Sequence, residues 1–178
     1  MIVSRPEKLT HTQTMLYEID MLRYTARTLL DGDLHTDMNR WVCLEAFLVH
    51  FRNLIEFFGN PRPRGDDLHV KRVDVFWPDP ASRPTDLQLQ KLVRIDLWEN
   101  YETNTAQRIS RYLHHCTEER TARKDWDIAA MFNDVKDVVE AFEKLLPDLA
   151  RSWDIPVHAM VVRRVLGPSS GSTATEVK

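Results

Sequence analysis

The sequence predicts an all-α protein, a bundle of four to five helices with one long ordered loop excursion at about residues 59–86. The main observation is the stretch Trp41 to Phe58, in which thirteen of eighteen residues are apolar and occupy nearly every face of a helical repeat. A second is the composition: five glycines against five tryptophans and seven phenylalanines leave too few turn residues for an all-β fold.

The first two predicted helices form an antiparallel pair. The first should begin near Thr10, which opens a Thr-x-x-Gln capping box, and should stop at Gly32. Thr36 or Asp37 can cap the central helix. Gly59 should end that helix in a left-handed conformation.

Residues 59–86 interrupt the helical pattern with seven proline and glycine residues. Connections of this length are usually functional or disordered. Val70, Phe76 and Trp77 argue against disorder, because a disordered segment would leave them in water. We therefore expect an ordered excursion over the bundle. The excursion carries four basic residues, Arg62, Arg64, Lys71 and Arg72. A solvated surface is the favoured interpretation of this cluster over an anion-binding site.

Three more helices are predicted towards the C-terminus. The segment Asp86 to Leu97 mixes strand and helix periods, and a helix is favoured. Clearer helices run from about Trp98 to Thr117 and from about Trp126 to Leu146. One domain is expected over residues 1–166, in which 156–166 is either extended or helical, with a disordered tail over 167–178.

Composition and charge narrow the classes of function. The net charge is -3 with both signs interspersed, so any nucleic-acid contact must be local. No apolar signal segment is present, and charges interrupt the most apolar run, which predicts a cytoplasmic protein with no membrane contact. Cys43 and Cys116 lack zinc-motif spacing, and we expect both to be free buried thiols.

No metal or cofactor site is predicted. His50, His114, His115 and Glu45 are adequate ligands, but adjacent histidines on a helix point about 100° apart. The chain has no Glu-x-x-His pair of the kind found in di-metal bundles, and no glycine-rich phosphate loop.

Polar residues embedded in the central helix form the first candidate group. His50 lies on an inward-facing line of that helix, and Arg52 can reach Glu56 at the i+4 spacing and approach Glu45. The favoured interpretation is a polar seam that fixes how the helices dock. The alternative is that His50 and Arg52, followed by Asn53, line one side of a cleft.

The second candidate group lies in residues 107–120, QRISRYLHHCTEER. Arg108, Arg111 and His115 share one helical face, and His114 lies on the adjacent one. Arginine can bind two phosphate oxygens at once, and histidine can transfer a proton near neutral pH. A solvated helix face is an equally good interpretation of these residues.

The pairing of LEAFLVHFRNLIEFF with a later helix carrying HHCTEER resembles a group of uncharacterised bacterial helical proteins and, more remotely, the HEPN superfamily. HEPN domains are helical bundles, often dimeric, and many are metal-independent ribonucleases. Their motif is an Arg, a polar residue, and a His that is separated from the Arg by four to six residues. Five residues separate Arg108 from His114 and six separate it from His115, although Ile109 stands where the motif prefers a polar residue.

The resemblance implies that His114 or His115 would assist attack of an RNA 2'-hydroxyl on the neighbouring phosphate. Arg108 and Arg111 would stabilise the developing charge. RNA would be the substrate or ligand, and the protein would be a homodimer. The binding and support residues would be His50, Arg52, Asn53, Glu45 and Arg120.

Two other functions stay open at this point. One is a non-enzymatic interaction module, in which the polar residues set the helix register and the 59–86 excursion contacts a protein partner. The other is a small-ligand pocket lined by Trp77, Tyr112, His50 and Arg52.

Overall fold

The computed structural model describes residues 7–32, 34–103, 109–114 and 125–147, excluding the side chains of residues 7–10 and 114. The described residues are mostly helical and contain no strand, which confirms the predicted all-α class. No helix in these ranges is both long and apolar enough to cross a membrane. The elements in chain order are α1 (Glu7–Asp31), α2 (Asp37–Gly59), α3 (Val73–Phe76), a 3-10 turn (Pro80–Ser82), α4 (Asp86–Leu92), α5 (Ile95–Trp98), a π turn (Glu99–Thr103), α6 (Ile109–His114) and α7 (Ile128–Leu145).

Helices α1 and α2 form the predicted antiparallel pair. Glu18 of α1 contacts His50 of α2, whereas Thr25, two turns later on α1, contacts Cys43, two turns earlier on α2. The contacts therefore run in opposite directions along the two helices. A two-pronged ion pair, with both nitrogen–oxygen distances at 2.6 Å, joins Arg23 of α1 to Glu143 of α7.

The ends of α1 and α2 agree in part with the ends predicted from the sequence. Thr36 caps α2 as predicted, because its side chain accepts a hydrogen bond from the Asn39 amide at 3.1 Å. Gly32 follows the end of α1 with a φ of 73°, in the left-handed region that favours glycine. The predicted cap at Thr10 is wrong, since α1 already begins at Glu7 and Thr10 lies inside it.

Gly59 ends α2, but not in the predicted left-handed conformation, because Gly32 is the one described glycine with a positive φ. Close packing explains the residue instead. A Cβ at this position would collide with the carbonyl oxygen of Arg94 and lie 3.2 Å from the Cβ of Trp98. The Arg94 amide donates to the Phe58 carbonyl at 2.9 Å, which holds the start of α5 against the end of α2.

The core centres on aromatic side chains from α2, α3 and α7. Phe142 of α7 makes edge-to-face contacts with Phe57, Phe58, Phe76 and Trp77, at ring-centroid distances from 5.2 to 5.9 Å. All five rings are almost completely buried. Such contacts add to the stabilisation that burial of the rings provides.

The 59–86 excursion is ordered and packs over the bundle, as predicted. Val70, Phe76 and Trp77 are buried in it, and the indole nitrogen of Trp77 donates to the Leu145 carbonyl at 2.7 Å. Its regular elements are the short helix α3 and one 3-10 turn, which agrees with its many prolines.

The later helices are more broken than predicted. The expected helix over 86–97 is two helices, α4 and α5, because the Arg94 amide bonds to α2 instead of continuing the helical pattern. The expected helix over 98–117 is not continuous: the π turn follows α5, and α6 begins at Ile109, with 104–108 and 115–117 outside the described residues. Helix α7 matches the predicted helix over 126–146.

Candidate functional site

The polar residues of α2 are engaged by partners from other elements. His50 Nδ1 lies 2.7 Å from Glu18 Oε2 on α1, and Asn53 Nδ2 donates to the same oxygen at 2.9 Å. The Tyr17 and His50 rings meet in a T-shaped contact at a centroid distance of 5.7 Å. His50 and Asn53 therefore hold one carboxylate between them, as a seam that fixes the docking of α1 on α2 would require.

Arg52 lies between two carboxylates, of which Glu56 was predicted, whereas the second is Glu102 in place of the expected Glu45. Its Nη1 is 3.4 Å from Glu56 Oε2, the predicted i+4 partner, and its Nε is 3.4 Å from Glu102 Oε1 in the π turn. The second contact is an ion pair without hydrogen-bond alignment. Glu102 is buried and also accepts a hydrogen bond from the Ser110 amide at 3.2 Å, which links α2 to the start of α6.

The residues proposed for RNA cleavage fall largely beyond the described ranges. Arg108, His115 and Arg120 lie outside the described residues, and of His114 only the backbone, at the end of α6, is described. Arg111 is half-buried on α6, and Glu45 is half-buried on α2. The predicted phosphate-binding face therefore stays a prediction.

The described thiol is poorly suited to nucleophilic chemistry. Cys43 is a buried free cysteine whose sulfur lies 3.6 Å from the Thr25 carbonyl oxygen. Burial raises the pKa of this thiol, so the reactive thiolate is disfavoured. Cys116 lies outside the described residues. Within the described ranges, no group of three or more His, Cys, Asp or Glu side chains is arranged to hold a metal ion.

The residues expected to line a small-ligand pocket are placed in separate surroundings. Trp77 is fully buried in the aromatic core, and Tyr112 packs against Trp126 at a ring-centroid distance of 5.7 Å. His50 and Arg52 are held by the carboxylates described above.

An open groove of about 210 Å³ lies between α1, α2 and the loop that follows α2. We call it the acidic groove. Three carboxylates line it, Glu18 from α1, Glu56 from α2 and Asp67 from the loop. The other lining residues are Thr14, Met15, Asn53, Phe57 and Leu68.

Each carboxylate of the acidic groove is engaged through one oxygen. Glu18 uses Oε2 to accept from His50 and Asn53. Glu56 uses Oε2 in its ion pair with Arg52, and Asp67 uses Oδ2 to accept from the Arg64 amide at 2.7 Å. The second oxygen of each receives no hydrogen bond from the part of the chain that the structure describes, so each can accept one from a ligand.

His69 closes the loop that carries Asp67. The imidazole is 1% exposed, and its Nε2 lies 3.1 Å from the Asn60 carbonyl oxygen at the end of α2. The Lys71 amide donates to Nδ1 at 3.0 Å. One ring thereby ties together both ends of residues 60–71.

The outer face of α2 carries apolar side chains that point away from the core. Met38, Trp41 and Val42 are 70%, 53% and 61% exposed, and Val49 continues the same face two turns later. An exposed tryptophan with apolar neighbours is typical of an interface more than of a bare surface.

This chain matches no family model, no curated protein and no solved structure. The HEPN resemblance therefore stays a hypothesis.

Proposed function

We propose that this protein is an interaction module that binds a lysine or arginine side chain of a partner protein in the acidic groove. The observation that carries the proposal is the set of three carboxylates around one groove, each with one oxygen that receives no hydrogen bond from the described residues. A cationic group is complementary to this arrangement, because ammonium and guanidinium groups donate hydrogen bonds and accept none.

The floor of the groove supports a side chain in preference to a bare metal ion. Met15, Phe57 and Leu68 are the apolar lining residues, and Leu68 supplies most of the apolar surface beside the carboxylates, because Met15 and Phe57 are almost completely buried. Lysine and arginine have long apolar stems with a charged end, so the stem can lie on this floor while the charge meets the rim. Their charged ends differ in shape, so the affinities of a lysine peptide and an arginine peptide show which of the two the groove prefers.

The size of the groove favours a single side chain over a larger ligand. Its volume of about 210 Å³ is below the roughly 300–1,000 Å³ that is usual for pockets holding drug-sized molecules. Its openness to solvent at the rim suits a side chain that enters from a neighbouring protein surface.

The polar seam supports the same class of function. His50, Arg52 and Asn53 are held by carboxylates from other elements, so their interactions fix helix register. This was the role that the interaction-module hypothesis gave them. Asp67 and Leu68 form the loop wall of the groove. This wall belongs to the 59–86 excursion, the segment that the interaction-module hypothesis expected to contact a partner.

Binding can be tested by NMR titration of the labelled protein with short Gly-Ser peptides that carry one arginine, one lysine or one citrulline. We expect the arginine and lysine peptides to shift the amide signals of Asn53, Glu56 and Leu68 with saturation. The citrulline peptide should not, because it has the shape of arginine without the charge. Added salt should weaken the binding, since the groove carboxylates are partly exposed.

A double variant, Glu56→Gln with Asp67→Asn, removes two groove charges and keeps an oxygen at each position. Loss of about 0.5–1 kcal/mol for each partly exposed ion pair predicts a dissociation constant roughly five- to thirtyfold higher. Asp137→Asn, on an exposed part of α7, is the matched control and should bind like the wild type. Equal binding by the double variant, or saturable binding of free spermidine alone, would show that the proposal is wrong.

RNA cleavage needs its own test, because Arg108 and His115 lie outside the described residues. Purified protein should be incubated with mixed single-stranded RNA in EDTA beside the variant Arg108→Ala, His114→Ala, His115→Ala. Cleavage that is lost in the folded variant would support a metal-independent ribonuclease. Intact RNA across a range of sequences would leave the interaction module as the better account.

A further inference from the structure

We propose that His69 is a proton-controlled latch for the loop wall of the acidic groove, so that the groove is formed near neutral pH and opens on acidification. The inference rests on the proposed function for its consequence at the groove. The latch itself rests on the hydrogen bonds of one buried ring.

The two hydrogen bonds of His69 require the neutral ring. A backbone amide can only donate, so Nδ1, which receives the Lys71 amide at 3.0 Å, carries no proton. Nε2 must then carry the ring proton, and it donates to the Asn60 carbonyl at 3.1 Å. This tautomer satisfies both nitrogens of a side chain that water hardly reaches.

Protonation of Nδ1 would break this arrangement. Two donors, the new N–H and the Lys71 amide, would then face each other, so the new N–H of the charged ring would be buried without an acceptor. The charged groups acting on the ring are the Lys71 ammonium, which opposes protonation, and the Asp67 carboxylate, which favours it less strongly. Burial and Lys71 together lower the pKa of His69 from its ordinary value.

The latch is close to the groove along the chain. Asp67 and Leu68, which line the groove, immediately precede His69. The adjacent amide of Val70 donates to the Phe57 carbonyl at 3.1 Å, which holds this part of the loop against α2. Release of the imidazole would free the segment that carries one of the three groove carboxylates.

The direction of the pH effect follows from the lowered pKa. Above the ordinary histidine pKa of about 6.5 the ring is neutral in both the latched and the released loop, so the latch is fully stable. As the pH falls through this value, the released loop takes up the proton first, and the latched form is progressively lost. Uptake of one proton limits the weakening to about tenfold per pH unit.

The first experiment observes the ring without any ligand. Long-range proton–nitrogen NMR of the full chain at about pH 7.5 should show His69 with its proton on Nε2, and the Lys71 and Leu68 amide signals should change with the titration of the ring. A proton on Nδ1, or loop signals that do not follow the ring, would overturn the latch. These measurements keep their meaning if no peptide binds.

The second experiment measures arginine-peptide binding at about pH 7.5 and about pH 5.5, a range in which ordinary carboxylates stay ionised. The wild type should lose affinity by up to about tenfold per pH unit below about 6.5. His69→Asn keeps an oxygen near the Nδ1 position and cannot titrate in this range, so its affinity should be independent of pH.

A pH dependence that persists in His69→Asn would belong to another ionisable group and would overturn control of the groove by His69. Absence of peptide binding at both pH values, with the expected ring titration intact, would instead reject the proposed function alone.

Discussion

Gly59→Ala tests whether close packing, and not backbone conformation, explains the glycine at the end of α2. Gly59 has no positive φ, so an alanine would meet no backbone strain there. Helix propensity alone would then favour alanine by up to about 1 kcal/mol. Packing opposes it, because the new Cβ would collide with the Arg94 carbonyl oxygen.

The balance can be estimated from what has to move. The obstacle is a backbone oxygen, which cannot rotate away as a flexible side chain can, and the Arg94 amide is fixed by its bond to Phe58. Overpacking costs about 1–3 kcal/mol, and the rigid backbone obstacle places this site in the upper half of that range, at about 2–3 kcal/mol. After the propensity gain is subtracted, we expect Gly59→Ala to lower the free energy of unfolding by about 1–2 kcal/mol, or roughly 2–8 °C in Tm for a chain of this size.

Urea unfolding followed by circular dichroism would measure the effect. Gly65→Ala is the matched control, since a Cβ there meets no atom within 4 Å and the φ of Gly65 is not positive. It should be neutral or stabilise by about 0.4–1 kcal/mol through the unfolded state. A Gly59→Ala protein as stable as the wild type, or more stable, would refute the reasoning.

Three further predictions use other parts of the structure. Phe142→Ala should cost about 3–5 kcal/mol in urea unfolding, because the ring is fully buried among aromatic neighbours, and a loss below about 1 kcal/mol would contradict the described core. Burial and the 2.6 Å hydrogen bond to Asp134 raise the pKa of Tyr101. Stability should therefore fall as the pH rises above about 10, and Tyr101→Phe should flatten that fall relative to the wild type. If the predicted homodimer forms through the outer face of α2, Trp41→Gln should shift sedimentation velocity towards the monomer, and an unchanged dimer would place the interface elsewhere.

The sequence predicted the fold class and the central pair of helices because their signals are local. The apolar faces of Trp41 to Phe58 require burial on all sides, and the Arg52–Glu56 pair follows from helical spacing alone. The break at Arg94 was not predictable in this way, since it depends on a hydrogen bond to Phe58, which is far away in the sequence. Local patterns do not report such tertiary contacts.

The sequence predicted the polar residues that α2 contributes to the candidate site but not their partners from other elements. His50, Arg52 and Asn53 were identified as polar residues that need partners, but the partners came from elements that the sequence could not align. Glu18 could have been found, because it lies three residues after Met15 and four before Leu22 on the buried stripe of α1. Asp67 and His69 lie in an irregular loop, where no period indicates which side chains turn inward.

Glu18 joins the structural seam to the acidic groove, and this makes the two roles dependent on each other. Its Oε2 is held by His50 and Asn53, while the carboxylate lines the groove. An acceptor that is already fixed loses little conformational freedom when a ligand binds. We therefore expect His50→Leu, which removes no groove carboxylate, to weaken arginine-peptide binding, because Glu18 would lose part of its support. Since the imidazole does not line the groove, unchanged affinity in the folded variant would mean that the seam stabilises the fold without orienting the site.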